Sequence, residues 1–183
     1  TLHKPRAVAA AMRQAMRTAA GYARGGYDAA SRAGELVYSC REQLAALFGV
    51  AEPARVIFTM NATHALNLAI HALTRERRRV AVGGYEHNAV MRPLALRGIE
   101  PIVLSAPLWD GAALVQRAED AIRDGAQLFV LNHVSNVFGW AMPVWEIAEK
   151  LDAAGIPLIV DASQSAGLLP IETGHPCLAA VCM

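Results

Sequence analysis

An apolar run that delivers a carboxylate and an amide is the chemical landmark of this chain: Leu158-Ile159-Val160-Asp161-Ala162-Ser163-Gln164-Ser165-Ala166-Gly167. An Asp at the carboxyl end of a buried parallel strand lies in the crevice where open α/β sheets bind ligands, and there it takes a cationic partner or stays protonated. The protonated nitrogen of a pyridine cofactor is one such partner, because a carboxylate beneath the ring keeps that nitrogen charged and makes the ring an electron sink. The plainer role for Asp161 is to cap the helix that follows. Upstream, Asn61-Ala62-Thr63 follows an apolar run and opens a helical pattern, so its backbone N–H groups and the Thr63 hydroxyl sit at the positive end of a helix dipole, where a phosphate binds. The plainer role for Asn61 or Thr63 is to cap the helix. His87, between Glu86 and Asn88, offers a flat ring that can stack and move protons, or a solvated loop histidine. Asn136, in His133-Val134-Ser135-Asn136-Val137-Phe138-Gly139, and Gln164, three residues past Asp161, offer amides; a turn residue and a surface amide are the alternatives. His133 reads as structural, His71 as a helix-face residue and His175 as a loop residue.

Such groups need a scaffold that brings strand ends together. Helices are expected over residues 5–20, 29–48, 62–73, 89–97, 112–123 and 143–154, with Pro5 and Pro143 in first turns and Gly49 as a stop. Val8, Met12 and Met16 recur at helical spacing. Short runs rich in Val, Ile and Leu at residues 56–59, 80–83, 101–105, 128–132, 158–161 and 179–182 read as strands, and their lack of polar alternation means burial on both faces. Strands alternating with helices predict an α/β fold in three layers around a mainly parallel sheet. Residues 1–50 form the amino-terminal helices and 51–183 the sheet domain.

Composition narrows the function. A chain of 183 residues can bury about 70% of its unfolded surface. Although 54% of residues are hydrophobic, no stretch approaches the ~18 uncharged apolar residues of a membrane span. A net charge of +1 gives no footprint for nucleic acid. The odd set Cys40, Cys177 and Cys182 contains no C-x-x-C pair, which argues against a disulfide framework, against a metal site, and for a reducing cytoplasm. The G-x-G-x-x-G of nicotinamide-binding folds and the G-x-S-x-G of serine hydrolases are both absent.

Taken in order, Arg24-Gly25-Gly26-Tyr27, Cys40-Arg41-Glu42-Gln43-Leu44-Ala45-Ala46-Leu47-Phe48-Gly49, Asn61-Ala62-Thr63, Glu86-His87-Asn88, the Asn136 segment and the Asp161 segment resemble the cysteine desulfurases of the class V aminotransferase family. The resemblance implies the large domain of fold-type I transferases and pyridoxal 5'-phosphate as cofactor. It implies that Ala62 and Thr63 hold the phosphate, His87 stacks on the ring, Asp161 holds the ring nitrogen, and Asn136 and Gln164 bond the phenolic oxygen or the substrate. His64 departs from the acidic residue usual after that Thr.

The reaction implied converts L-cysteine to L-alanine, with the sulfur passing to an enzyme cysteine; none of the three cysteines here matches that nucleophile. A small amino-acid substrate, a homodimer and a sulfur-acceptor protein follow from the same resemblance, with no nucleic acid or membrane partner. Selenocysteine lyase or another class V activity is the alternative, and a non-catalytic fragment or assembly module is an alternative of another kind. The family's Schiff-base lysine matches neither Lys4 nor Lys150, so the expectation is an amino-terminal fragment that stops before that lysine, before the sheet's last, antiparallel strand and before the small carboxyl-terminal domain. Loss of that strand would leave residues 56–59 unpaired on one side and residues 179–182 exposed.

Overall fold

Pro5, which has no N–H to leave unpaired, stands immediately before α1 (Arg6–Thr18), and Gly49 ends α2 (Asp28–Phe48) in the left-handed conformation at φ 66°, its N–H returning to the Ala45 carbonyl. The structure, a computed structural model, describes residues 3–22 and 25–183; Arg24 of the amino-terminal motif lies outside the described residues. The chain falls into two compact units, Thr1–Ile57 and Phe58–Met183. In the first, α1 leaves its predicted stripe of Val8, Met12 and Met16 exposed, and a single 3-10 turn (Pro53–Arg55) follows α2.

The second unit is a sheet between helices. Its elements are α3 (Ala62–Leu73), β1 (Val80–Gly83), α4 (Asn88–Leu96), β2 (Ile102–Leu104), α5 (Gly111–Arg123), β3 (Leu128–Asn132), α6 (Val144–Ala154), β4 (Leu158–Asp161) and β5 (Leu178–Cys182). The strands pair in the order β2-β1-β3-β4-β5, and every pairing is parallel. Alternate side chains point to opposite faces. Val80, Val82, Leu128, Val130 and Ile159 pack with Leu66 and Ile70 of α3 and Val90 and Leu94 of α4. Ala81, Phe129, Leu131, Leu158 and Val160 pack with Leu114 and Ala118 of α5 and Ile147 and Leu151 of α6. Both faces are therefore covered, which is why these strands read as unbroken apolar runs.

One expected strand does not form. Residues 56–59 are extended but unpaired, with Ile57 and Phe58 exposed. A strand exists only through its ladder, and no described strand lies alongside this run. Pro143 caps α6 from just outside the helix rather than within its first turn.

The chain reverses direction across the sheet at β1: β2 lies on one side of it and β3 on the other, with α4 and α5 on opposite faces. Loops leaving adjacent strands there diverge to opposite faces and open a crevice at the carboxyl ends.

Candidate active site

Asn132 and Asp161 are register partners at the carboxyl ends of β3 and β4. Asp161 shares the strand face of Ile159, two residues before it, and so faces the side of the sheet that carries α3 and α4. It is 4% exposed, and its Oδ1 accepts the Ser163 N–H at 3.0 Å and the Ser163 hydroxyl at 2.5 Å. This is an Asx turn, the local bond that an Asp makes with the residue two ahead. Among the described residues no cationic side chain pairs with this buried carboxylate, which burial disposes toward a cationic partner.

The start of α3 comes to the same place. Asn61 is the N-cap, and its Oδ1 accepts the His64 N–H at 2.9 Å. The Thr59 hydroxyl donates to the Asn61 carbonyl at 3.0 Å and steadies the entry to the helix. With His64 capped, the N–H groups of Ala62 and Thr63 are the orphan donors of the first turn. His64, the departure from the family pattern, turns its ring back so that Nδ1 accepts the Met60 N–H at 3.5 Å.

His87 is the N-cap of α4, with Nδ1 accepting the Ala89 N–H at 3.1 Å. A neutral ring bonded this way carries its proton on Nε2. The loop bearing it is anchored by Tyr85, whose hydroxyl donates to the Ala106 carbonyl at 3.1 Å and whose ring meets Phe138 and Trp140 edge-on at 5.5 and 5.7 Å. Asn136 sits in a turn closed by the Gly139 N–H on the Ser135 carbonyl at 2.9 Å, with the Ser135 hydroxyl accepting the N–H groups of Val137 and Phe138 at 3.4 and 3.3 Å.

Ala62, Thr63, His87, Asn136, Asp161 and Gln164 all line one crevice of about 220 Å3, with Leu66, Ala89, Asn132 and Ser163. Every residue singled out from sequence for this chemistry is thus brought together, though four separate segments supply them. A second hollow of about 270 Å3, lined by residues 85–88 and 135–138, shares His87 and Asn136 with the first.

Three further residues belong to the arrangement and escaped the sequence reading. Ser163 holds Asp161, and Asn132 lines the crevice while its Oδ1 accepts the Val134 N–H at 3.2 Å. Glu86 accepts the Asn132 N–H at 2.8 Å. Ser163 was legible as the partner that an Asp-x-Ser sequence supplies; Asn132 and Glu86 meet only through tertiary structure.

Three other histidines are elsewhere. His133 is buried, hydrogen-bonded to the Ser165 hydroxyl at 2.9 Å and edge-on to Trp145; burial holds its pKa below the ordinary value. His71 meets Arg97 on a helix face. His175 pairs with Asp152 at 2.6 Å, between the end of α6 and the start of β5. Burial pushes the thiols of Cys177 and Cys182 up to about 12. Lys150 pairs with Glu119 across α6 and α5, on the other face of the sheet from Asp161. No helix among the described residues is long and apolar enough to cross a membrane.

Residues 1–175 match the family described as aminotransferase class V. The cysteine desulfurase IscS of Shewanella denitrificans is 36% identical over 148 residues, and that of Proteus mirabilis 34%; each match covers 77% of this chain and 36% of the relative. The solved structure of a cysteine desulfurase from Thermococcus onnurineus superposes with a TM-score of 0.79 at 29% identity, covering 91% of this chain and 43% of that one. The chain thus spans about a third of the length of these two relatives. On this match, its α/β architecture and its ordered motifs, the chain belongs to the class V aminotransferase family.

Proposed function

We propose that this chain builds the cofactor-holding crevice of a pyridoxal-phosphate-dependent cysteine desulfurase. The observation that carries the reading is the buried Asp161 carboxylate, without a cationic protein partner among the described residues, across one crevice from the free donors at the start of α3. A phosphate-bearing pyridine fits that donor set at both ends. The Ala62 and Thr63 N–H groups and the Thr63 hydroxyl take the phosphate, and Asp161, steadied by Ser163, takes the ring N–H. His87, pinned through Nδ1, presents its ring and its Nε2 proton at the crevice. Asn136 and Gln164 orient the remaining oxygen atoms of cofactor or substrate. When bound, the cofactor supplies an electron sink for the substrate's α-carbon.

In the reaction proposed, L-cysteine gives its sulfur to a protein thiol, which becomes a persulfide, and L-alanine is left. Cys177 and Cys182, buried and held as thiols, take no part in that step. Neither Lys4 nor Lys150 has a chemical role in it. A second copy of the chain, a sulfur-accepting protein and a cytoplasmic setting complete the reading.

Asp161→Ala in the gene-encoded protein tests the assignment. A charge that matters chiefly to the carbanion-like state affects kcat more than ground-state binding. The expected result is turnover lowered by about a hundredfold or more, with cofactor retention changed far less. Turnover near that of the unaltered protein overturns the role given to Asp161.

A further inference from the structure

Glu86 stands one residue before His87, and its side chain folds back onto the sheet. Its Oε1 accepts the backbone N–H of Asn132, the last residue of β3, at 2.8 Å. Its Oε2 is shut off from solvent with no hydrogen-bond partner among the described residues. Gly83, the last residue of β1, makes room for the carboxyl: a Cβ there would stand 2.7 Å from Oε1. Asn132 in turn is the register partner of Asp161. The carboxyl that grips the Asn132 backbone thus has one of its own oxygens unsolvated, and the Asp161 carboxylate, on the strand beyond Asn132, bears on it as a like charge. A carboxylate in that position would carry both an ionic desolvation cost and a like-charge cost; a carboxylic acid escapes the second and most of the first.

We propose that Glu86 is a positioning residue carried as the neutral acid, tying the loop that bears His87 to the carboxyl end of β3 and so fixing the imidazole at the crevice. Its bearing on cofactor binding rests on the function proposed above; the tie itself is a property of the protein alone. Burial first, then the charge of Asp161, pushes the Glu86 carboxyl up to about 8, against the opposing pull of the Asn132 and Gly83 backbones. Asp161, from β4, is the charged group facing it; β1 and β3 present backbone at Gly83 and Asn132, and the His87 ring is engaged with the Ala89 N–H. An acid whose folded pKa lies above its ordinary 4.5 favours the fold most below that value, and the advantage is lost as pH rises through about 8.

Glu86→Gln and Glu86→Ala separate this role from mere packing. Gln keeps the oxygen that accepts from Asn132 and puts an N–H2 where the acid has its O–H, but it cannot titrate; Ala removes the tie. Amide exchange at Asn132, followed by NMR, should speed up about tenfold in Glu86→Ala and stay within about twofold in Glu86→Gln. The affinity for pyridoxal phosphate should follow the same order. The protein itself should lose the tie between pH 7 and 9, and Glu86→Gln should not.

A Gln variant as damaged as the Ala variant would show that the group works as a carboxylate, and unchanged Asn132 exchange in Glu86→Ala would show that there is no tie; either overturns the proposal. If Glu86→Ala does not fold, Gly83→Ala, which crowds Oε1 off the Asn132 N–H, should give the faster exchange, and unaltered exchange there also overturns it. Absence of cofactor binding in the unaltered protein, with the exchange pattern as expected, defeats the proposed function and leaves the Glu86 tie standing.

Discussion

Replacing Thr63 by Val removes one hydroxyl from the start of α3 and little else, because the two side chains have nearly the same shape. Thr63 is exposed, so the fold should lose no more than about 0.5 kcal/mol. The functional cost is larger. Asn61 already occupies the His64 N–H, which leaves the N–H groups of Ala62 and Thr63 and the Thr63 hydroxyl as the donors for a phosphate. A hydrogen bond to a charged acceptor contributes about 1.5–3 kcal/mol, so losing that hydroxyl should weaken pyridoxal phosphate by about 10- to 150-fold. Calorimetric titration with pyridoxal phosphate and with pyridoxal isolates the effect, since only the first carries the phosphate. The loss should be confined to pyridoxal phosphate. An equal loss for both ligands, or none for either, refutes the assignment of Thr63 to the phosphate.

Two other consequences can be checked. The Asp152 carboxylate, with help from Glu172 and against burial, raises the His175 pKa above its ordinary 6.5; the Asp152 pKa is lowered below 3.8, burial opposing and its hydrogen bonds to His175 and Cys177 prevailing. The raised histidine stabilises the fold fully below pH 6.5 and less as pH rises through its folded value, and the lowered aspartate stabilises it above pH 3.8, so His175→Gln should cost about 1–2 kcal/mol in thermal melts at pH 5.5 and less at pH 9. An equal cost at both pH values would remove the ion pair from the account. Borohydride reduction of the 183-residue chain with pyridoxal phosphate, read by mass spectrometry, should give no stoichiometric adduct on Lys150, which is held by Glu119 on the far face of the sheet, or on Lys4; an adduct on Lys150 would mean that the face assigned to α6 is wrong.

The sheet was legible because β1, β3 and β4 are buried on both faces and carry nothing but apolar residues up to Gly83, Asn132 and Asp161. Residues 56–59 have the same composition and form no strand, because composition reports burial preference while a strand also needs a neighbour to bond. The crevice was legible where each residue announces its own local chemistry: Asn61 before a helix, Asp161 after a strand. Glu86 was not. Its contact with Asn132 spans 46 positions and depends on the missing side chain of Gly83, and neither motif carries that information alone. The capping of α4 by His87 was not legible for a simpler reason: His is not among the residue types preferred at an N-cap.

The central claim is that Asp161 holds a protonated ring nitrogen at this crevice. The direct measurement is the 15N chemical shift of pyridoxal phosphate labelled at its ring nitrogen and bound to the protein, compared with Asp161→Asn. A pyridinium shift in the unaltered protein that moves to the neutral-pyridine range in Asp161→Asn is the result expected. A neutral nitrogen in the unaltered protein, or a pyridinium that survives the substitution, contradicts the claim.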